Sequence, residues 1–189
     1  MERELLMTGI GGQGVQLATQ VLARALTLEG RYVMSMGTYA GSMRGANTDT
    51  SLVYADAPIS TPPLVARAWS AIAMHHRFWH DMKSKLADGG LLLLNMPVVE
   101  KDADIGRFNC VEIPAVPIAT DLGTVLGAAM VMIGAYAKMT NAVSIGALRE
   151  AMANSLPPYR QKHVPSNIAM LEAGYAYVAQ PTHAVWEAA

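Results

Sequence analysis

Apolar residues recur along this chain with two periods, and the change from one to the other divides it into strands and helices. Glu4 to Thr8 is a short apolar run that predicts a strand, followed by the glycine-rich stretch Gly9 to Gly14. Val15, Ala18, Val21, Leu22, Ala25 and Leu28 then fall at helical spacing, so a helix is expected from about Gln13 to Leu28, ended by Gly30. Tyr32 to Met36 reads as a second strand, making the first fifty residues a βαβ unit with parallel strands and a right-handed crossover. A long polar loop, Gly37 to Asp49, precedes an alternating strand at Thr50 to Tyr54. Further strands are expected at Trp69 to Met74, at Leu91 to Asn95 after the Asp88-Gly89-Gly90 turn, and at Phe108 to Ile113, closed by Pro114. Helices are expected at Phe78 to Leu86, Gly123 to Lys138, Ser144 to Asn154 and Asn167 to Val178, with Pro157-Pro158 and Pro165 separating the last two.

Alternating strands and helices predict an α/β, three-layer Rossmann-like domain with a mostly parallel central sheet and a helical C-terminal part, one domain over residues 1–189. At 189 residues the chain can build its own core. Only 15% of its residues are charged and 52% are hydrophobic, which leaves apolar surface for other chains to cover. A net charge of −1 and the lack of any Lys/Arg block exclude an electrostatic nucleic-acid or anionic-membrane binder. The longest uncharged stretch, Leu122 to Ala137, is shorter than the ~20 residues that span a bilayer and reads as a buried helix. Met1-Glu2-Arg3-Glu4 runs into too short an apolar segment for a signal peptide, so a cytoplasmic location is expected. One cysteine, Cys110, can hold neither a disulfide within the chain nor an iron–sulfur cluster, and its strand context suits a buried, inert thiol.

Gly9, Gly11 and Gly14 satisfy G-x-G-x-x-G between a strand and a helix. Such a loop permits positive φ and offers the free N–H groups of a helix start to an anion, a pyrophosphate above all. The ribose-binding acid of a dinucleotide site should end the second strand, where Met34-Ser35-Met36-Gly37 stand instead. A stand-alone NAD(P)-binding oxidoreductase is therefore the alternative reading, and glycines that serve only a tight strand–helix turn are another.

The sequence Gly9-Ile10-Gly11-Gly12-Gln13-Gly14-Val15, with Tyr39-Ala40-Gly41-Ser42-Met43-Arg44-Gly45 after it, resembles the gamma subunit or gamma domain of the thiamine-diphosphate-dependent 2-oxoacid:ferredoxin oxidoreductases. The resemblance continues through Asp56-Ala57-Pro58-Ile59, Asp88-Gly89-Gly90, Ile113-Pro114-Ala115 and Ile133-Gly134-Ala135, about three quarters of the chain. Ala46 replaces the commoner Gly of Arg-Gly-Gly, and Ala129 replaces an Asn, marks of a divergent branch. The resemblance implies a non-catalytic subunit of an enzyme that decarboxylates a 2-oxoacid, passes the acyl group to coenzyme A and sends electrons to ferredoxin or NAD. It further implies alpha, beta and ferredoxin-like delta partners, which carry the thiamine diphosphate and the [4Fe-4S] clusters, and a role for this chain at the coenzyme A site and in assembly.

On that reading the binding candidates are Gly11, Gly12, Gln13, Gly14, Arg44 and Gly45. Arg44 could fork onto a coenzyme A phosphate or pair with a partner carboxylate, and Gln13 could reach a ligand or bond its own loop. Tyr159-Arg160-Gln161-Lys162-His163 is a basic loop segment, either solvated or set against a partner or a phosphate. Asn167 suits an N-cap. His75, His76 and His80 lack an HExxH setting and read as a surface or interface cluster. The 13 methionines suit adaptable core filling, and Gly123-x-x-x-Gly127 suits close approach of another element.

Overall fold

The computed structural model describes residues 1–39, 45–60, 62–101 and 103–186. Its six strands are β1 (Glu2–Ile10), β2 (Tyr32–Tyr39), β3 (Asn47–Ala55), β4 (Ala68–Ala73), β5 (Leu86–Asn95) and β6 (Asn109–Ile113). They form one sheet in the order β2-β3-β1-β4-β5-β6. The helices are α1 (Val15–Leu28), α2 (His76–Lys83), α3 (Ala115–Asp121), α4 (Ala128–Thr140), α5 (Ile145–Ala153) and α6 (Val164–Tyr177).

The sheet is mostly parallel, as the alternation of elements predicts, with one strand reversed. β1, β4, β5 and β6 are parallel neighbours, whereas β3 is antiparallel to both β1 and β2. β1 and β2 therefore run the same way around α1, but they are not adjacent, because β3 returns between them and pairs Leu52 with Leu5 on one side and Ser35 on the other. Both ends of the polar stretch before Thr50 are thus strand: β2 continues to Tyr39 and β3 starts at Asn47. Polar residues are tolerated there because they bond one another. Thr50 and Thr19 hydroxyls meet at 2.7 Å, and Asp49 accepts from Thr8 Oγ1 at 2.5 Å and from Asn47 Nδ2 at 2.8 Å.

Period-2 alternation sends each strand's side chains into two cores. Leu5, Met7, Leu52, Tyr54, Ile72, Leu91 and Leu93 face the layer of α1, α4, α5 and α6, while Leu6, Ala71, Ala73, Leu92 and Leu94 face Trp79 and Met82 of α2. The Leu91–Leu94 run is buried throughout because both faces are covered. Before it, Ala68 pairs with Leu86 and Ser70 with Leu91, so Asp88-Gly89-Gly90 is not the turn expected before the strand but a bulge within β5, with Gly89 at φ 73°.

Within the helical layer, α4 is buried on nearly every side. Its Gly134 and the Gly174 of α6 let the two backbones touch: a Cβ on Gly134 would lie 2.0 Å from Leu171 O, and one on Gly174 would lie 1.9 Å from Val131 O. The uncharged stretch expected as one buried helix is a 3-10 turn, Val125–Gly127, followed by α4. Gly127 does meet another element closely, Met170 of α6, whereas Gly123 faces open space. Among the described residues no helix is long and apolar enough to cross a membrane. α3 is an element the periodicity does not predict, being seven residues long with Pro117 in its first turns, where proline costs no intrahelical bond. α6 starts at Val164, earlier than expected, because Pro165 falls in its first turn and suits a helix start.

Candidate functional site

β1 delivers the chain to the glycine loop at the carboxyl ends of the parallel strands, next to the point where the topology switches from β1 toward β4. Gly12 (φ 102°) and Gly14 (φ 78°) take the left-handed backbone that side chains disfavour. Gly14 is the N-cap of α1 and has no side chain to bond the first turn. The first intrahelical donor is Ala18 N, to Gly14 O at 2.9 Å, so the amides before it point outward without helical acceptors. The helix start is open to an anion.

Gln13 does not join that opening. Its Oε1 accepts from Ile10 N at 2.9 Å, and its Nε2 donates to Met74 O at 3.3 Å, where Asn95 Nδ2 also donates at 3.2 Å. Of its two expected roles the glutamine takes the structural one, bracing the loop to the end of β4. Gly45 lies against the loop: Gly11 N donates to Ala46 O at 2.9 Å, and a Cβ on Gly11 would stand 3.5 Å from Gly45 N. The Arg-Gly motif thus ends beside Gly11, while Arg44 itself lies outside the described residues.

Over the loop opens a cleft of about 760 Å³, walled by Gly11, Gly12, Gly14 and Thr48 on one side and by Leu156, Tyr159 and Arg160 on the other. The far wall is held by α5, which is tied to α1: Arg24 donates to Asn154 O, and Ser144 N donates to Glu29 Oε1 at 2.9 Å. From there the 3-10 turn Pro158–His163 carries the basic segment over the cleft, with Gln161 Nε2 donating back to Leu156 O at 2.6 Å. Among the described residues no carboxylate lines the cleft, and Arg160 is the one charged residue lining it.

Thr48 is a member of the site that the sequence does not announce. It is only 5% exposed, yet its hydroxyl has no hydrogen-bond partner among the described residues. A threonine in an alternating strand reads as an ordinary β residue, and only the orphaned hydroxyl at the cleft wall singles it out.

The other candidates fall elsewhere. Asn167 is inside the first turn of α6 rather than capping it, and its Nδ2 donates to His163 O at 2.8 Å. His75 caps α2, its Nδ1 accepting from Arg77 N at 3.2 Å. Burial first, then the charges of His76 and Arg77, lower the His75 pKa, so the neutral ring that can accept this bond is favoured. His76 stacks on it at 4.4 Å and bonds Val98 O. Cys110 is half-buried rather than enclosed, and burial followed by the nearby Glu112 raises its thiol pKa. A dinucleotide reading loses ground on topology as well as chemistry, since β3 stands between β1 and the strand whose end should carry the ribose acid.

A sequence model described as pyruvate ferredoxin/flavodoxin oxidoreductase matches residues 4–177. The chain belongs to the pyruvate ferredoxin/flavodoxin oxidoreductase family. Within that family it is 32% identical to the 2-oxoglutarate synthase subunit KorC of Methanothermobacter marburgensis, over 92% of this chain and 95% of that one. Among solved structures it resembles the gamma subunit of the keto/oxoacid ferredoxin oxidoreductase of Geobacter sulfurreducens, with 24% identity, a TM-score of 0.79 and coverage of 93% and 95% of the two chains. It also resembles part of the 2-oxoglutarate:ferredoxin oxidoreductase of Magnetococcus marinus, described with 2-oxoglutarate, coenzyme A and succinyl-CoA bound. That match has a TM-score of 0.83 at 17% identity and covers 96% of this chain but 34% of the other. The fold described above thus occurs both as a whole chain and as one section of a longer chain.

Proposed function

We propose that this chain is the gamma subunit of a 2-oxoacid oxidoreductase, a non-catalytic subunit that holds coenzyme A by its pyrophosphate over the glycine loop. The complete reaction joins a 2-oxoacid, coenzyme A and an oxidised acceptor to give acyl-CoA, carbon dioxide and the acceptor reduced by two electrons. Thiamine diphosphate supplies the decarboxylation chemistry, and [4Fe-4S] clusters carry the electrons. Both belong to the alpha, beta and delta partners, which fits a chain with one cysteine and no group of three metal-ligating side chains among its described residues. A chain of this kind suits a reducing cytoplasm.

What supports the coenzyme A reading is a cleft with no carboxylate, at an uncapped helix start, beside a buried hydroxyl lacking a partner. On this reading the free amides of α1 and the Thr48 hydroxyl, which line one cleft, donate to one anion, and Gly12 and Gly14 leave room for it to approach the backbone. Binding there fixes one end of the coenzyme so that its thiol can be presented to a partner's acyl group. Arg44, one residue before Gly45 in the sequence, is proposed as a further phosphate contact.

Thr48→Val in the assembled oxidoreductase tests this directly. Since the hydroxyl has no hydrogen-bond partner among the described residues, the variant should keep its melting temperature, while the KM for coenzyme A rises about tenfold. An unchanged KM would remove the coenzyme from this cleft. The isolated chain should show no turnover with any 2-oxoacid and a redox dye, and turnover would overturn the non-catalytic role.

A further inference from the structure

The glycine-loop cleft does not end at Arg160. Beyond it, between α1, the 3-10 turn Val125–Gly127 and the start of α6, lies a second chamber of about 520 Å³. The two spaces share Leu17, Leu156 and Arg160 as lining residues, so the arginine stands at their junction. Their linings differ in chemistry. The first presents backbone amides and a hydroxyl, whereas the second is walled by Leu17, Leu126, Leu156 and Met170, with His163 and Asn167 at its polar side. No carboxylate lines the second chamber either.

Among the described residues the Arg160 guanidinium has no hydrogen bond and no ion pair, its one ring contact being with the neighbouring Tyr159 at 5.5 Å. Lys162 and His163 add basic groups on the same turn. A cation at the joint of a phosphate cradle and an apolar chamber has a definite chemical complement. In a 3′-phosphorylated adenosine, one ribose ring carries three groups that diverge: the pyrophosphate on C5′, the base on C1′ and a phosphate on C3′. Arranged around one small ring, they need three receptors that meet at one place, an anion cradle, an apolar slot and a second cation.

Building on the glycine-loop reading, we infer that Arg160 is the specificity residue for the 3′-phosphate of coenzyme A, and that the chamber beside it receives the adenine. The pyrophosphate already has its donors in α1 and Thr48, so the arginine is left for the phosphate one ribose away. Its planar fork suits a terminal phosphate, which presents several oxygens at once.

The discriminating substrate is dephospho-coenzyme A, identical except for the missing 3′-phosphate. In the assembled oxidoreductase, KM values for coenzyme A and dephospho-coenzyme A are measured for the wild type, Arg160→Ala, Arg160→Lys and Thr48→Val. Arg160→Ala should raise the coenzyme A KM about tenfold or more and leave that for dephospho-coenzyme A where it was, abolishing the preference between them. Arg160→Lys, which keeps the charge without the fork, should restore part of the preference. Thr48→Val should raise both KM values by the same factor. If Arg160→Ala raises both equally, the arginine sits on the pyrophosphate and the inference falls. The inference falls as well if Arg160→Ala moves neither while Thr48→Val moves both. Should Thr48→Val move neither, the glycine-loop reading is what has failed, and the assignment of Arg160 goes with it.

Discussion

Glycine is used in two opposite ways in this molecule. Where α4 crosses α6, Gly134 and Gly174 are packed so tightly that a single Cβ would run into the facing backbone carbonyl. At the glycine loop, nothing lies within 4 Å of where a Cβ on Gly12 would stand, and Gly14 meets only Leu126 O at 3.7 Å and Ala129 Cβ at 3.8 Å. One pair of glycines lets protein fill space, and the other keeps space from being filled. Polar groups divide less cleanly, since Trp79 Nε1 and Asn95 Oδ1 are also buried without a partner among the described residues, away from the cleft. In the core the Tyr54 and Tyr136 hydroxyls meet at 2.7 Å and Tyr136 meets Ser70 Oγ at 3.0 Å, whereas the Thr48 hydroxyl at the cleft is left unpaired. What singles out the cleft is the combination, an open glycine backbone and an unpaired buried hydroxyl lining the same space.

Closing the filled region's tolerance to zero gives the largest expected effect. Gly174→Ala sets its Cβ 1.9 Å from Val131 O, a backbone atom that cannot swing aside, so the helices must separate along their whole contact. The alanine gains helix propensity, but overpacking outweighs it, and the net loss should be about 3 kcal/mol. Thermal unfolding should show a melting temperature lower by roughly 6–12 °C. A variant that melts with the wild type would mean that the crossing has slack and the contrast between the two sets of glycines is false.

The tyrosine pair gives the next effect, read through pH. Burial is the main cause that pushes Tyr136 up to about 12, and it raises Tyr54 well above its usual value, with the Tyr136 contact adding to it. In the unfolded chain both hydroxyls ionise near pH 10, so above that pH the unfolded state has released protons that the folded state still holds. Stability from this pair is whole below pH 10 and is lost as pH rises toward 12, by about 2–3 kcal/mol from Tyr136 alone, with Tyr54 adding to the loss. Denaturant titrations across that range should find the slope in the wild type and a flatter one in the Tyr54→Phe/Tyr136→Phe double variant. An equal slope in both would place the alkaline lability elsewhere.

Much of this architecture is legible in the residues because periodicity reports burial. The helix expected from about Gln13 to Leu28 stands at Val15–Leu28, and the strand expected at Leu91 to Asn95 ends where expected but starts five residues earlier, at Leu86. The antiparallel return of β3 was not legible, since a strand's direction leaves no mark in its own alternation. Likewise α3 and the early start of α6 are written in prolines that also read as breaks. At the glycine loop, Gly12 and Gly14 are legible because their positive φ demands glycine, whereas Gly11 has no such constraint and lies against the segment that carries Gly45 and Ala46. Thr48 and the placement of Arg160 across from them depend on contacts more than 100 residues apart in sequence between α1 and α5, such as Arg24 with Asn154, which no local pattern records.

Gln13 sharpens the comparison from the boundary between the two regions. Its side chain makes two bonds into the fold, to Ile10 N and Met74 O, from the middle of a loop whose other members face the cleft. Gln13→Ala should therefore behave as a core variant, with a stability loss of about 2 kcal/mol from two partly buried groups left unpaired. Denaturant unfolding measures that loss. Coenzyme A binding should weaken only through loosening of the loop, and Gln13→Glu should fail to rescue it, because its second carboxylate oxygen would face Met74 O without a proton to donate. A Gln13→Ala variant of full stability but reduced coenzyme affinity would instead make the glutamine a ligand contact.

Gly12→Ala has the smallest expected effect on stability and the most direct bearing on why the loop is empty. Its Cβ meets no protein atom within 4 Å, so the only structural cost is holding alanine at a φ of 102°, on the order of 1–2 kcal/mol. If the space serves the fold, that cost is the whole result. A phosphate seated on the α1 amides, however, must occupy the volume into which this Cβ would project, and the added methyl would push it off its donors. The KM for coenzyme A should then rise tenfold or more in the assembled enzyme, well beyond what the small fall in melting temperature accounts for. The same methyl at Gly174 would lower the melting temperature with no separate effect on coenzyme affinity. Opposite ratios of stability loss to affinity loss at the two glycines are what the two uses of the residue require, and equal ratios would make the cleft an accident of the turn.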